Sequence, residues 1–224
     1  MGIVNYKGWK QMGVEFVDLF NQWASSYDDT VSGNDPEYKE VFEDYDVMLQ
    51  ELADLAISPV LEFGVGTANL TRKIVAQNKV VAGVEPSKEM RQIANLKCPE
   101  AAVYEGDFIN FPALQLPVRS IVSSFAFHHL KEDEKRLALS VYYDKLEEGG
   151  EVIFIDTIFK DESHKLSLIK DAEEKGHLNL AQDLQEEYYP YLGDLEQMFL
   201  QQGFEVSFKQ KNKFAWLIQA KKGD

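Results

Sequence analysis

Cysteine is almost missing from this chain: Cys98 is the single one in 224 residues. One thiol makes no intrachain disulfide, which fits a reducing compartment and leaves Cys98 to be read as a small, packed side chain. Basic residues are also scarce, with 23 Lys and Arg against 38 Asp and Glu and a formal net charge of −15. Nucleic acid and anionic membrane surfaces are repelled by that balance, and the few cations are too scattered to form a basic stripe. No apolar run is long enough to span a bilayer. The opening Met1-Gly2-Ile3-Val4-Asn5-Tyr6 has neither the apolar core of a signal peptide nor the Ser or Thr at position six that myristoylation favours. Together these absences lead to the expectation of a cytoplasmic protein. The four histidines, His128, His129, His164 and His177, have no cysteine at zinc spacing, so no metal site is expected.

What is present is ordinary for a globular chain: 45% hydrophobic and 27% charged residues, in a length that suits one domain. Residues 1–57 read as helical. Phe16, Leu19, Phe20 and Trp23 repeat at helical spacing, which predicts a helix over 12–25. A polar break follows from Asp28 to Pro36. Asp35 and Pro36 then look like a cap and first turn, which predicts a helix from Pro36 to about Leu55. From residue 58 strands and helices alternate. Strands are expected at 59–63, 79–85, 101–104, 120–125 and 151–156. Helices are expected at 69–77, 87–96 and 132–146, the last ended by Gly149-Gly150. Polar helices over 161–187 and a helix over 192–202 precede two runs, 204–208 and 214–220, joined as a hairpin. Repeated strand–helix units imply an α/β fold, a parallel sheet covered on both faces.

The chemistry concentrates at the ends of the first strands. Val60-Leu61-Glu62-Phe63 runs into Gly64-Val65-Gly66-Thr67 and then a helix. Glycines there allow a tight bend and a close ligand approach, and the helix start offers unpaired amides. A substitution such as Gly64→Val is expected to block a ligand while the surface turn leaves the fold intact. Glu85 ends the second strand 21 residues later, where a carboxylate can accept from both ribose hydroxyls. Glu105-Gly106-Asp107-Phe108 follows the third strand. Asp107 can accept from an adenine amino group, and Phe108 can offer an apolar face.

These segments, with Val84-Glu85-Pro86-Ser87 and Ala126-Phe127-His128-His129-Leu130, resemble the successive motifs of class I S-adenosylmethionine-dependent methyltransferases. The chain is similar, in particular, to the YrrT-like bacterial family. The resemblance implies a doubly wound, Rossmann-like, seven-stranded sheet whose last strand is antiparallel. It implies a helical lid over residues 1–57 and a cofactor-binding domain over 58–224, together one structural unit. It also implies S-adenosyl-L-methionine as cofactor. The candidate cofactor-binding set is Gly64, Glu85, Asp107, Phe63, Gly66, Thr67, Phe108, Ser124 and Tyr27. Arg119 stands where such families often carry Asp near the start of the fourth strand.

Methyl transfer from a sulfonium needs an oriented acceptor and a dry site more than a fixed triad. A base is needed only where the acceptor loses a proton, and His128 and His129 are the candidates for that role. Tyr188, Tyr189 and Tyr191 are candidates for an acceptor wall, and Asp156 could serve a magnesium-bound acceptor. A small-molecule methyl acceptor is expected, with no nucleic acid or membrane partner. The alternatives are a non-catalytic S-adenosylmethionine-binding regulatory module and a protein methyltransferase. A dinucleotide reading lacks the third glycine, where Asn69 stands. Its Tyr-x-x-x-Lys spacing, Tyr6 to Lys10, lies upstream of the glycine turn.

Overall fold

A computed structural model of the protein describes residues 14–223. The expected helix over 12–25 is seen as α1 (Val14–Trp23), and its first two residues lie outside the described range, as do Tyr6 and Lys10. A short α2 (Tyr27–Asp29) and a π-type turn over 30–34 follow. The helix expected from Pro36 instead begins at Tyr45, as α3 (Tyr45–Leu55), after a left-handed Asp44. The physical reason is that the two halves serve different cores. Val41, with Tyr38 and Phe42, packs toward the C-terminal helices, whereas Met48, Leu49 and Leu52 pack under the sheet. One straight helix cannot present both faces, so the chain turns between them.

The sheet contains β1 (Val60–Phe63), β2 (Val81–Glu85), β3 (Ala102–Glu105), β4 (Val118–Ser124), β5 (Leu146–Thr157), β6 (Phe204–Gln210) and β7 (Ala215–Lys222), in spatial order 3-2-1-4-5-7-6. The first five strands are parallel, and β7 inserts antiparallel between β5 and β6. Its helices are α4 (Asn69–Ala76), α5 (Lys88–Lys97), α6 (Glu132–Lys145), α7 (Glu162–Glu174), α8 (Leu178–Glu186) and α9 (Leu192–Gln201). Alternation along each strand feeds two cores. Leu61, Phe63, Ile121, Val152, Phe154 and Ile218 face α6 and α9, while Val60, Val122, Ile153, Ile155 and Leu217 face α3 and α4. A third core joins α7 and α8 to Phe159, Phe214 and Val41.

Gly149 and Gly150 do not end α6, which stops at Lys145. They sit in a bulge of β5, where the pairing partners jump from Val118–Leu146 to Ser120–Glu151. Gly149 takes φ +68, and a side chain on Gly150 would lie 2.9 Å from the Glu147 carbonyl. The bulge, not a helix cap, is what these glycines allow. The strand order reverses between β1 and β4, so a crevice opens there at the strand C-termini.

Candidate functional site

β1 enters that crevice through three left-handed positions at alternate residues: Gly64 (φ 67), Gly66 (φ 55) and Ala68 (φ 69). A Cβ on Gly64 would stand 2.7 Å from the Ala126 methyl, so the turn is packed against the β4 loop and not merely exposed. The amide of Gly66 donates to Glu85 Oε2, and that of Ser87 donates to Glu85 Oε1, both at 2.8 Å. Burial raises the pKa of Glu85, and the two amides oppose that rise. The carboxylate is thus aimed by backbone on each side, and its remaining lone pairs border the cleft.

Asp107 organises the loop after β3. Its Oδ1 accepts from the amides of Ile109 (2.8 Å) and Asn110 (2.7 Å), and its Oδ2 accepts from the Asn110 side chain (3.1 Å). Phe108 stacks on Phe63 at 5.6 Å between ring centroids. Gly64, Gly66, Glu85, Asp107, Phe108, Ser124 and Tyr27 line one cleft. Phe63 and Thr67 lie behind its wall. Phe63 belongs to the core beneath Phe108, and Thr67 spends its hydroxyl on Asp28 (2.6 Å).

That last contact exposes a residue the sequence reading missed. Asp28 also accepts from Asn69 (3.1 Å) and from the Lys97 ammonium. The hydrogen bonds from Lys97, Thr67 and Asn69 outweigh the cost of its burial and lower its pKa. The N-terminal segment is therefore tied to the glycine turn and to α5. Asn21 adds a second tie, accepting from the Ser87 hydroxyl at 2.6 Å. Polar residues in a turn-rich break carry no sequence signal for partners some forty residues away.

A second cavity adjoins the first and shares Phe20, Tyr27, Phe125 and His129 with it. Phe125 holds φ +50, an expensive conformation for an aromatic residue, at this junction. Trp23, Tyr38, Phe42, Leu184 and Tyr189 supply much of the lining, and His128, Asp183 and Glu187 its polar end. His128 Nδ1 meets Asp156 Oδ1 at 2.5 Å, its amide donates to Asp156 Oδ2 at 2.9 Å, and its Nε2 stands 3.3 Å from Glu187. Burial opposes charge on His128, but Asp156 and Glu187 overturn it and hold the imidazole pKa up to about 9. His129 responds oppositely: burial, reinforced by the His128 charge, pushes it down to about 4. Glu187 is held down to about 2, because the two histidines and Tyr189 outweigh its burial. Sequence spacing could not bring Glu187 to the histidine pair; the long excursion through α7 and α8 does so. Tyr189 stacks on His128 at 4.6 Å, while Tyr191 pairs with Glu162 away from the cavity lining.

A doubly wound sheet with an antiparallel final strand, a glycine turn at the switch point and a buried carboxylate ending β2 places the molecule among S-adenosylmethionine-dependent methyltransferases. The family described as a methyltransferase domain matches residues 60–150. A relative from Halobacillus halophilus, described as "Uncharacterized methyltransferase YrrT", is 74% identical over 95% of this chain and all of its own length. A Bacillus licheniformis methyltransferase is 48% identical over 94% of this chain and all of its own. Among solved structures, magnesium protoporphyrin IX methyltransferase of Synechocystis PCC 6803, with bound S-adenosylmethionine, superposes with TM-score 0.68 at 13% identity, covering 98% of this chain and all of that one. A possible histamine N-methyltransferase of Thermotoga maritima superposes with TM-score 0.66 at 17% identity, covering 92% of this chain and 99% of that one. The protein belongs to the YrrT-like methyltransferase family, and its cofactor is S-adenosylmethionine. The cleft fits such a group: Gly64 and Gly66 leave the backbone bare, Glu85 presents a buried carboxylate, and Phe108 an apolar face. Among the described residues no helix is long and apolar enough to cross a membrane.

Proposed function

We propose that the chain methylates a small molecule held in the second cavity. One observation carries the reading: two adjoining cavities meet at a shared wall of Phe20, Tyr27, Phe125 and His129. Bound S-adenosylmethionine supplies an activated methyl group on a sulfonium. Glu85 receives the ribose hydroxyls, Asp107 the adenine amino group, and Phe108 one face of the base. The bare backbone of Gly64 and Gly66, with Ser124 and Tyr27, completes the cofactor wall. Residues 14–34 act as a lid that excludes water, anchored through Asp28 and Asn21. On the acceptor side, His128, His129 and Glu187 bind the heteroatom that accepts the methyl group. Phe42, Trp23 and Tyr189 pack its apolar part.

An aromatic-lined cavity with its polar groups gathered at one end favours a small acceptor over a protein segment. The net charge of −15 disfavours nucleic acid. The test is titration calorimetry with S-adenosylmethionine and, separately, NADH, followed by transfer of a labelled methyl group into a cell extract. Cofactor binding with label in the low-mass fraction is expected. Label only in macromolecules overturns the small-molecule reading. Tight cofactor binding with no transfer at all makes the chain a regulatory module, and NADH binding alone overturns the cofactor assignment.

A further inference from the structure

The polar end of the acceptor cavity has the construction of a metal site. His128 and His129 are each at least nine-tenths buried. His129 Nδ1 lies 3.0 Å from the Ala126 carbonyl, which can only accept, so that nitrogen carries the hydrogen and Nε2 of the neutral ring is a bare lone pair. His128 Nδ1 is likewise committed to the Asp156 carboxylate. Both Nε2 atoms turn to the same side chain, at 3.3 Å from Glu187 Oε2 for His128 and 3.8 Å from Oε1 for His129. One ligand atom from each of the three residues falls within 4.8 Å of the others. The bare lone pair of His129 Nε2 faces the Glu187 carboxylate, a repulsion that a cation held between them relieves.

The surroundings hold the rings in this pose. Phe16 and Phe20 sit 4.8 and 4.9 Å from the His129 ring, and Tyr189 stacks on His128. Tyr189 also hydrogen-bonds Glu187. A carboxylate on the far nitrogen of a ligating histidine fixes its tautomer and raises its basicity, and Asp156 occupies that position. Two imidazoles and one carboxylate leave coordination open, which is the pattern of catalytic rather than structural zinc.

We propose that His128 Nε2, His129 Nε2 and Glu187 bind a divalent transition metal of the zinc type, its open positions facing the acceptor cavity. The ion displaces any proton shared between His128 and Glu187, and that proton passes to solvent. Methyl transfer is not a redox reaction, so a redox-silent Lewis acid suffices to bind and ionise the acceptor's heteroatom. This site deepens the small-molecule reading and rests on it for the acceptor's place. The metal itself is testable without an acceptor.

The chelator-stripped full chain is dialysed against zinc chloride and its metal content counted. Cobalt(II) is then added and its visible spectrum recorded. One equivalent of zinc and an intense four-coordinate cobalt band are expected. His129→Ala and Glu187→Gln should abolish the band. Asp156→Asn, which keeps all three ligands, should weaken zinc binding about 10- to 100-fold. Circular dichroism checks folding, and His129→Gln replaces His129→Ala if the latter fails to fold. No zinc uptake, or equal uptake by wild type and the folded variants, overturns the proposal. Calorimetry with S-adenosylmethionine on the same samples separates the failures. Cofactor binding without zinc sinks only the metal, whereas zinc without cofactor binding sinks the reading of the first cleft.

Discussion

Replacing Gly64 by Ala tests whether the glycine turn is packed or merely exposed. The φ of +67 costs an L-residue roughly 1–2 kcal/mol. The added methyl would also lie 2.7 Å from the Ala126 Cβ, with Phe108 3.8 Å away. Overpacking of this kind typically costs about 1–3 kcal/mol. The sum, about 2–5 kcal/mol, lowers Tm by roughly 4–20 °C at about 2–4 °C per kcal/mol for a chain of this size. Gly66 provides the control. It shares the left-handed backbone (φ +55), but its Cβ would meet only Tyr27, at 3.8 Å. Gly66→Ala should therefore lose only the conformational part, roughly 2–8 °C. Removing the opposing methyl with Ala126→Gly should recover the steric part in the Gly64→Ala background, as a coupling of about 1–3 kcal/mol between the sites. Thermal unfolding of the four-member cycle gives the coupling, and calorimetry with S-adenosylmethionine gives the affinity on the same proteins. The structure thereby corrects the expectation that the fold is indifferent at Gly64. If Gly64→Ala and Gly66→Ala melt alike and Ala126→Gly restores nothing, the packed-turn argument fails.

Asp107→Ala should weaken the protein as well as the cofactor complex, because it strands the amides of Ile109 and Asn110. About 1–3 kcal/mol of stability is expected to go with the affinity, and a loss of affinity at unchanged Tm would contradict the loop-organising role. Glu62 is buried with Thr71 donating to it at 2.8 Å, and burial lifts its pKa to about 8. A carboxyl whose folded pKa is raised opposes folding increasingly from its ordinary value near 4.5 up to about 8, and fully above that. Glu62→Gln should therefore gain stability on the wild type as pH rises through that window; parallel Tm–pH curves would refute it. Asp28→Ala removes the contacts to Thr67, Asn69 and Lys97, so residues 14–34 should become faster targets for limited proteolysis, with S-adenosylmethionine affinity falling in step. Unchanged cleavage would mean the segment is held by its apolar contacts alone.

The first cleft, proposed for the cofactor, was legible in the sequence because its parts are local. A strand, a glycine turn and a helix N-terminus are consecutive, and Glu85 and Asp107 sit at fixed offsets set by the strand–helix repeat. The second cavity was legible only in part, through His128, His129, Tyr189 and Asp156, because the fold assembles the rest of it from distant pieces. His128 and His129 could be picked out as a pair, but Asp156 reaches them from the next strand and Glu187 from beyond two further helices. Asp156 stands out by its place at the end of a buried strand, but Glu187 has no neighbours that distinguish it from the chain's many solvated acids. The misplaced helix start has a related cause. Tyr38, Val41 and Phe42 keep helical spacing with Tyr45 and Met48, so periodicity alone joins them. Only the positions of the two cores they fill, one beside α7 and α8 and one beneath the sheet, require the left-handed turn at Asp44. That turn is also what brings Tyr38 to Asp183 and Phe42 to Phe125, so the break in the helix and the wall of the second cavity are one feature.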